Sequence, residues 1–308
     1  MGDKTSLKGL GWVVALALLI AGCQQNPHDT VASEGLQLTA DYRERCQLLD
    51  ALPAPTETAM RLHRQDPLFR ADLLLPAGHT DYLRTTERQA LGLGAYVADV
   101  AYANLYQHPL EAGQSLRAVE TLAQKLNLSD ALNVQALAKG LEEGVSSDTL
   151  MSRLNLGAAA LSTQLQKRGQ LPLAAMAVAG CYLEGLYLLA RHAKATQKPA
   201  LLAELANQKS ALDVLLAAWP DTAGSDNPAT GKTYALLRAT QRSLEDVQEV
   251  ALSASGEWRQ MNDLAVYMDQ TQPLRYLPTD KLPKLLSLLA QARQQLQAPL
   301  PDQNQLSH

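Results

Sequence analysis

Two stretches of this chain, residues 89–103 and 171–190, are apolar on every face of a helix. The first carries only Gln89, Asp99 and tyrosine hydroxyls as polar side-chain groups. The second carries only Cys181, Glu184 and two tyrosine hydroxyls. A helix without a polar face has no side to turn to water, so it is buried all round. Two such rods require a ring of amphipathic helices about them. The expected fold is therefore all-α, a multi-helix bundle with two buried central helices. Small residues suit close approach of the rods: Gly92, Gly94, Ala95 and Ala98 on one, Ala174, Ala175, Ala179 and Gly180 on the other. Gly157-Ala158-Ala159-Ala160 offers a third small-residue face. A membrane span at 171–190 is the alternative. Pro172, Gly180, Gly185 and Glu184 weigh against it, and Arg191 ends the run abruptly.

Helical periodicity fills most of the rest. Caps and breakers set the joints: Leu52-Pro53-Ala54-Pro55, His108-Pro109, Ser129-Asp130, Ser147-Asp148, Pro172, Pro199 and Trp219-Pro220. Residues 66–79 read as an irregular crossing segment. Residues 39–219 form the expected main helical domain, and 220–232 are a loop rich in Pro, Asp, Gly, Ser and Asn. Residues 233–298 form a C-terminal helical appendage with helices over 233–252 and 280–297 and weakly helical chain over 257–277. Residues 299–308 are a polar tail. No stretch shows sustained alternation of period two, so no strand is expected.

The amino terminus carries an address. Lys4 and Lys8 precede an apolar run from Leu10 to Ile20, and Leu18-Leu19-Ile20-Ala21-Gly22-Cys23 has the form of a lipobox. Residues 1–22 then read as a lipoprotein signal peptide, Cys23 as the lipidation site and residues 23–38 as a flexible tether with a reach of about 20 Å. Two or more acyl chains on Cys23 hold a protein at a membrane, where one would not. Gln24 follows, with no acidic cluster soon after. That favours a periplasm-facing outer-membrane location in the cell envelope. The chain has 27 basic and 31 acidic residues and no basic run, so nothing in its charge points to nucleic acid.

Among the motifs, Asp99, Glu184 and Lys209 stand out. A carboxylate in an apolar helix is costly unless bonded or paired. Tyr96 and Tyr102 flank Asp99, Tyr187 follows Glu184, and Gln208 lies in the apolar stripe of its helix. The set reads as a buried polar network that fixes helix register, or alternatively as the floor of a ligand or enzyme pocket. Cys46 and Cys181 read as buried free thiols, with a disulfide as the alternative. Residues 224–233 imitate a phosphate loop but hold six residues between glycines where four are needed, and they follow a helix. No Glu-x-x-His or His-Glu-x-x-His occurs. His63, His79, His108 and His192 are scattered singly and read as surface or capping residues, so no metal and no cofactor is expected. A tetratricopeptide-like echo at Leu91-Gly92 and Ala95-Tyr96 does not recur, which leaves a helical-repeat interaction scaffold as a lesser alternative.

Some segments also carry a resemblance. Leu93-Gly94-Ala95-Tyr96-Val97-Ala98-Asp99-Val100-Ala101-Tyr102 resembles an LGxYxADxxY segment, and Gly180 to Tyr187 is similar to a GGWxExLY segment. Asn207-Gln208-Lys209 resembles EQK, and Leu52 to Pro55 resembles LPSP. All four belong to uncharacterised helical lipoproteins of Bacteroidetes-type bacteria. Val97, Cys181-Tyr182 and Asn207 depart from those patterns. The resemblance spans roughly residues 50–219. It implies an all-helical fold and an envelope location, and no reaction. The expected role is a binding or scaffold module for envelope components. Its partners are membrane lipid, through acylated Cys23, and a protein or small molecule of unknown identity.

Overall fold

A computed structural model describes residues 39–220, 228–250, 257–261, 264–268 and 274–297. The signal peptide, Cys23, the tether and the 299–308 tail lie outside the described residues. Eleven α-helices are described: α1 (Ala40–Asp50), α2 (Pro55–Gln65), α3 (Thr86–Leu105), α4 (Pro109–Lys125), α5 (Ser129–Leu132), α6 (Val134–Glu142), α7 (Ser147–Lys167), α8 (Leu171–Thr196), α9 (Pro199–Ala218), α10 (Pro228–Ser243) and α11 (Leu282–Gln297). The fold is an all-α multi-helix bundle.

The apolar rods become α3 and α8. Every residue from Ala90 to Asn104 is buried, and so is every residue from Leu183 to Ala190. Helix α8 has the length and apolarity of a membrane span, but 72% of its most apolar window is covered by the protein itself. The two rods cross at glycine. A Cβ on Gly94 would come 1.7 Å from the Ala177 carbonyl oxygen, and one on Gly180 would come 1.8 Å from that of Leu91. Each backbone therefore occupies the space where the other would carry a side chain. Around this crossing α2 and α4 pack on α3, while α7, α9 and α11 pack on α8.

Local signals set the ends. Thr39, Thr85 and Ser146 cap α1, α3 and α7 by accepting from the third amide of their turns. Pro109 and Pro199 open α4 and α9, and Pro172 sits in the first turn of α8. Helix α3 begins later than the pattern suggests, because Ala77–Tyr82 forms a 3₁₀ turn belonging to the crossing segment. The helix expected from Ser129 breaks in two at Asn133, whose φ of 48° is left-handed.

Beyond Trp219 the reading needs correction. Helix α10 starts at Pro228, inside the expected loop, and stops at Ser243 rather than near 252. The described residues within 257–277 are not helical. Strands β1 (Gln248–Val250) and β4 (Leu274–Tyr276) pair antiparallel, as do β2 (Glu257–Met261) and β3 (Leu264–Met268). Helical propensity yields there to strand pairing across two short hairpin-like ladders. The segment expected as an appendage packs into the same compact unit as the rest, which runs from Leu38 onward. Helix α11 lies on α8, α10 and α3, and the Leu277 amide donates to the Leu202 carbonyl of α9 at 3.0 Å.

The glycine crossing predicts an asymmetry between glycines. Gly180→Ala or Gly94→Ala forces the helices apart and is expected to cost more than about 3 kcal/mol in urea unfolding. Gly113→Ala, in α4 with nothing within 4 Å of the added carbon, is expected to stabilise by about 0.5–1 kcal/mol. Equal tolerance of all three would contradict the crossing.

Candidate functional site

Asp99 on α3 and Glu184 on α8 meet where the rods pack, and they are 0% and 1% exposed. The Asp99 Oδ2 accepts from the Leu75 amide at 2.9 Å. Glu184 Oε2 lies 3.1 Å from Nε of Arg293, which descends from α11. The Arg293 guanidinium also donates to the Leu73 carbonyl at 2.8 Å and stacks 4.1 Å above the Tyr187 ring. Burial raises both carboxyl pKa values. Glu184 raises Asp99 further, while Arg293 pulls both back. Arg293 itself is held protonated by the two acids against its own burial. Above the Glu184 value of about 7 the pair keeps one proton between its acids, and one carboxylate then faces one guanidinium, the neutral arrangement a dry site favours.

A second buried cluster lies farther along the same helices. The Arg70 amide donates to the Tyr102 hydroxyl at 2.9 Å. That hydroxyl meets His192 Nε2 at 2.9 Å, and His192 Nδ1 meets Asp66 Oδ2 at 2.7 Å. One direction satisfies every group: Tyr102 donates to Nε2, and Nδ1–H donates to the carboxylate. Burial depresses the His192 pKa despite its acid partner, so the ring is neutral. Burial alone would raise Asp66. The hydrogen bond from His192 Nδ1–H, with the Lys198 ammonium at 3.5 Å, holds its pKa low instead. His192 is therefore not a surface or capping residue. It is wholly buried, because it follows Glu184 at two helical turns and shares its inward face.

Both clusters bind one thing, the irregular chain between α2 and α3. Tyr106 donates to the Asp66 carbonyl, Tyr96 to that of Pro76 at 2.7 Å and Lys125 to that of Thr80 at 3.1 Å. Together with the contacts at Arg70, Leu73 and Leu75, these side chains supply the backbone partners that a helix or sheet would otherwise provide. The Tyr96, Asp99, Tyr102 and Tyr106 spacing of three and four puts them on one face of α3.

The remaining expected members stand elsewhere. Lys209 does not reach the carboxylates. It pairs with Asp213 at 2.7 Å on its own helix. Gln208 is buried but bonds Glu204 at 2.7 Å, and the Tyr187 hydroxyl accepts from Arg191 at 3.0 Å. Cys46 and Cys181 are free thiols, so the alternative of a disulfide does not hold. Cys181 faces Glu184 and Asp99, which with burial push its pKa up to about 12. Among the described residues no three His, Cys, Asp or Glu side chains gather as a metal site. Arg293 and Asp66 were missed as site residues. Arg293 had a signal, since it falls on the apolar stripe of α11, four residues after Leu289 and three before Leu296.

Neither acid of the buried pair lines a large surface groove: one groove of about 620 Å³ lies over α5, α6 and α7, and two more meet near the α1–α2 corner. Of these two, one, of about 450 Å³, runs between α7 and the α1–α2 corner over a floor of Val178, Cys181 and Tyr182. The other, of about 600 Å³, lies across the corner and is lined by Glu57, Arg61, Lys209, Asp213 and Arg275. Leu52, Pro53, Thr58 and Gln208 line both, so the grooves adjoin. This concavity, not the carboxylate pair, is the candidate binding site. No protein-family model, curated protein or solved structure matches this chain.

The shared proton gives a pH test. The folded pair has raised pKa values, so between about pH 4, where free carboxyls titrate, and the Glu184 value of about 7 the folded state holds more protons than the unfolded one. The contribution of the pair is full below that window and is lost as pH rises through it. Asp99→Asn keeps a group that can accept from Leu75 and donate to Glu184. In urea unfolding from pH 5 to 8 the wild type is expected to lose stability relative to this variant, and the variant is expected to equal or exceed it at pH 8. Asp99→Ala, which strands the Leu75 amide, is expected to cost about 1–3 kcal/mol. A wild type that gains on Asp99→Asn as pH rises would contradict the shared proton.

Proposed function

We propose that this chain is a lipid-anchored binding module of the cell envelope, held by acylated Cys23 at a membrane facing the periplasm. The observation that carries the reading is the lipobox from Leu18 to Cys23, placed after Lys4, Lys8 and an apolar run and before a polar stretch. Two acyl chains on Cys23 give stable anchoring, and a mostly polar tether of about 15 residues lets the helical body stand off the bilayer. The resemblance to helical lipoproteins of Bacteroidetes-type bacteria agrees with that address.

The geometry favours binding over catalysis by the two acids. Asp99 accepts from the Leu75 amide, Glu184 lies against the Arg293 guanidinium, and both acids are sealed from solvent. A general acid or base must reach a substrate atom. The adjoining grooves beside α1, α2, α7, α8 and α9 are open to solvent and carry between them apolar and charged walls.

Intact-mass measurement of protein extracted from membranes tests the anchor. A chain beginning at Cys23 with added acyl mass is expected, and Cys23→Ala is expected to abolish the addition. A mature chain that retains residues 1–22, or that carries no acyl mass, would contradict it.

A further inference from the structure

The two halves of the groove differ in chemistry in a way that describes an occupant. The α7–α8 half is mainly apolar, though Asp50, Asn155, Ser162 and Thr163 also line it. Leu49 and Leu52 at the end of α1 face Ala158 and Ala159 of α7 across the Val178–Tyr182 floor. Leu156 at its rim is 69% exposed, a large aliphatic side chain with no cover. Alanines make the trough, since a larger residue at 158 or 159 would fill it. Cys181, with its thiol pKa pushed up, contributes there as an apolar atom rather than a nucleophile. Apolar walls of this kind gain roughly 25 cal/mol for each Å² that a ligand covers.

Across Thr58 and Gln208 the wall changes to charge of both signs. Arg61 pairs with Glu57 and with Glu204, and Lys209 pairs with Asp213. Arg275, exposed on β4, lies at the same mouth. Cations and carboxylates alternate there within side-chain reach of one another. A purely anionic head group would meet Glu57 and Asp213. A head carrying phosphate and ammonium together meets partners for both.

We infer that the two adjoining grooves together bind a single-chain zwitterionic amphiphile, its acyl chain on α7 and α8 and its phosphate–ammonium head between α2 and α9, passing over the Leu52, Pro53, Thr58 and Gln208 that line both. The single apolar trough, about 450 Å³, sets one chain rather than two. This rests on the binding-module reading but not on the anchor, so the two can fail separately.

The test uses the full chain carrying Cys23→Ala, so that no acyl group of its own competes. The probe is lysophosphatidylethanolamine below its micellar concentration, followed by calorimetry and native mass spectrometry. One lipid per chain is expected. Ala159→Trp, on an exposed position of the wall, is expected to weaken binding at least tenfold with unchanged far-UV circular dichroism and melting temperature. Thr163→Trp, also exposed and lining the trough, is expected to do the same and serves if the first variant melts early. Lys209→Gln combined with Arg275→Gln is expected to weaken the lysophospholipid but not a monoacylglycerol of equal chain length. Absence of binding, or equal binding by both tryptophan variants, would overturn the assignment. So would a chain dimer that both tryptophan variants dissociate, which would give the groove to a second copy. If binding stands while intact mass shows no acyl group on Cys23 of the wild type, the groove survives and the anchor falls.

Discussion

The fold depends on how closely α3 and α8 approach. At Gly94 and Gly180 each helix backbone fills the place of the other's missing side chain. That contact draws the two most apolar helices into one central pair, leaving the middle of α3 with no solvent face and that of α8 with only the Val178, Cys181 and Tyr182 strip that floors a groove. A polar group on either helix must then find its partner inside the protein, since no water is there to serve it.

The partners are backbone atoms of the chain between α2 and α3. A segment with Pro67 and Pro76 cannot form a regular helix, and its amides and carbonyls would be costly if buried alone. The Tyr96–Asp99–Tyr102–Tyr106 face of α3, with His192 of α8, Arg293 of α11 and Lys125 of α4, supplies them. The polar residues that interrupt the apolar rods are therefore neither accidents nor a reaction centre. They let an irregular segment serve as core. Arg293 and Arg88, which donates to the Gln295 carbonyl at 2.9 Å, tie the last helix into the same place.

Much of this was legible from the chain itself. Apolarity on all faces marked residues 89–103 and 171–190 as central, and capping residues and prolines located most helix starts. Asp99 and Glu184 were legible as a costly pair that needs partners. Their chief partner, Arg293, lies more than a hundred residues away on a helix whose stripe is otherwise aliphatic, and sequence spacing gives no distance of that kind. His192 was hidden differently. A lone histidine near a helix end resembles a cap, and only the two-turn offset from Glu184 shows that it faces inward. Lys209 was misleading because its stripe-edge position suits either a buried partner or its neighbour Asp213, and the nearer one takes it. The strands at 248–276 were missed because each is only three to five residues long. Asn262-Asp263 between β2 and β3 was the hairpin signal that could have found them. The grooves had no signal, because they arise where five helices leave a gap.

Hydrogen exchange at two amides tests the central claim most directly. Arg70 and Leu75 lie outside any α-helix and donate only to side chains of α3. If the crossing segment is core, both amides exchange as slowly as the middle of α3, through global unfolding alone. Exchange at the rate of an open loop, with α3 still protected, would contradict the account.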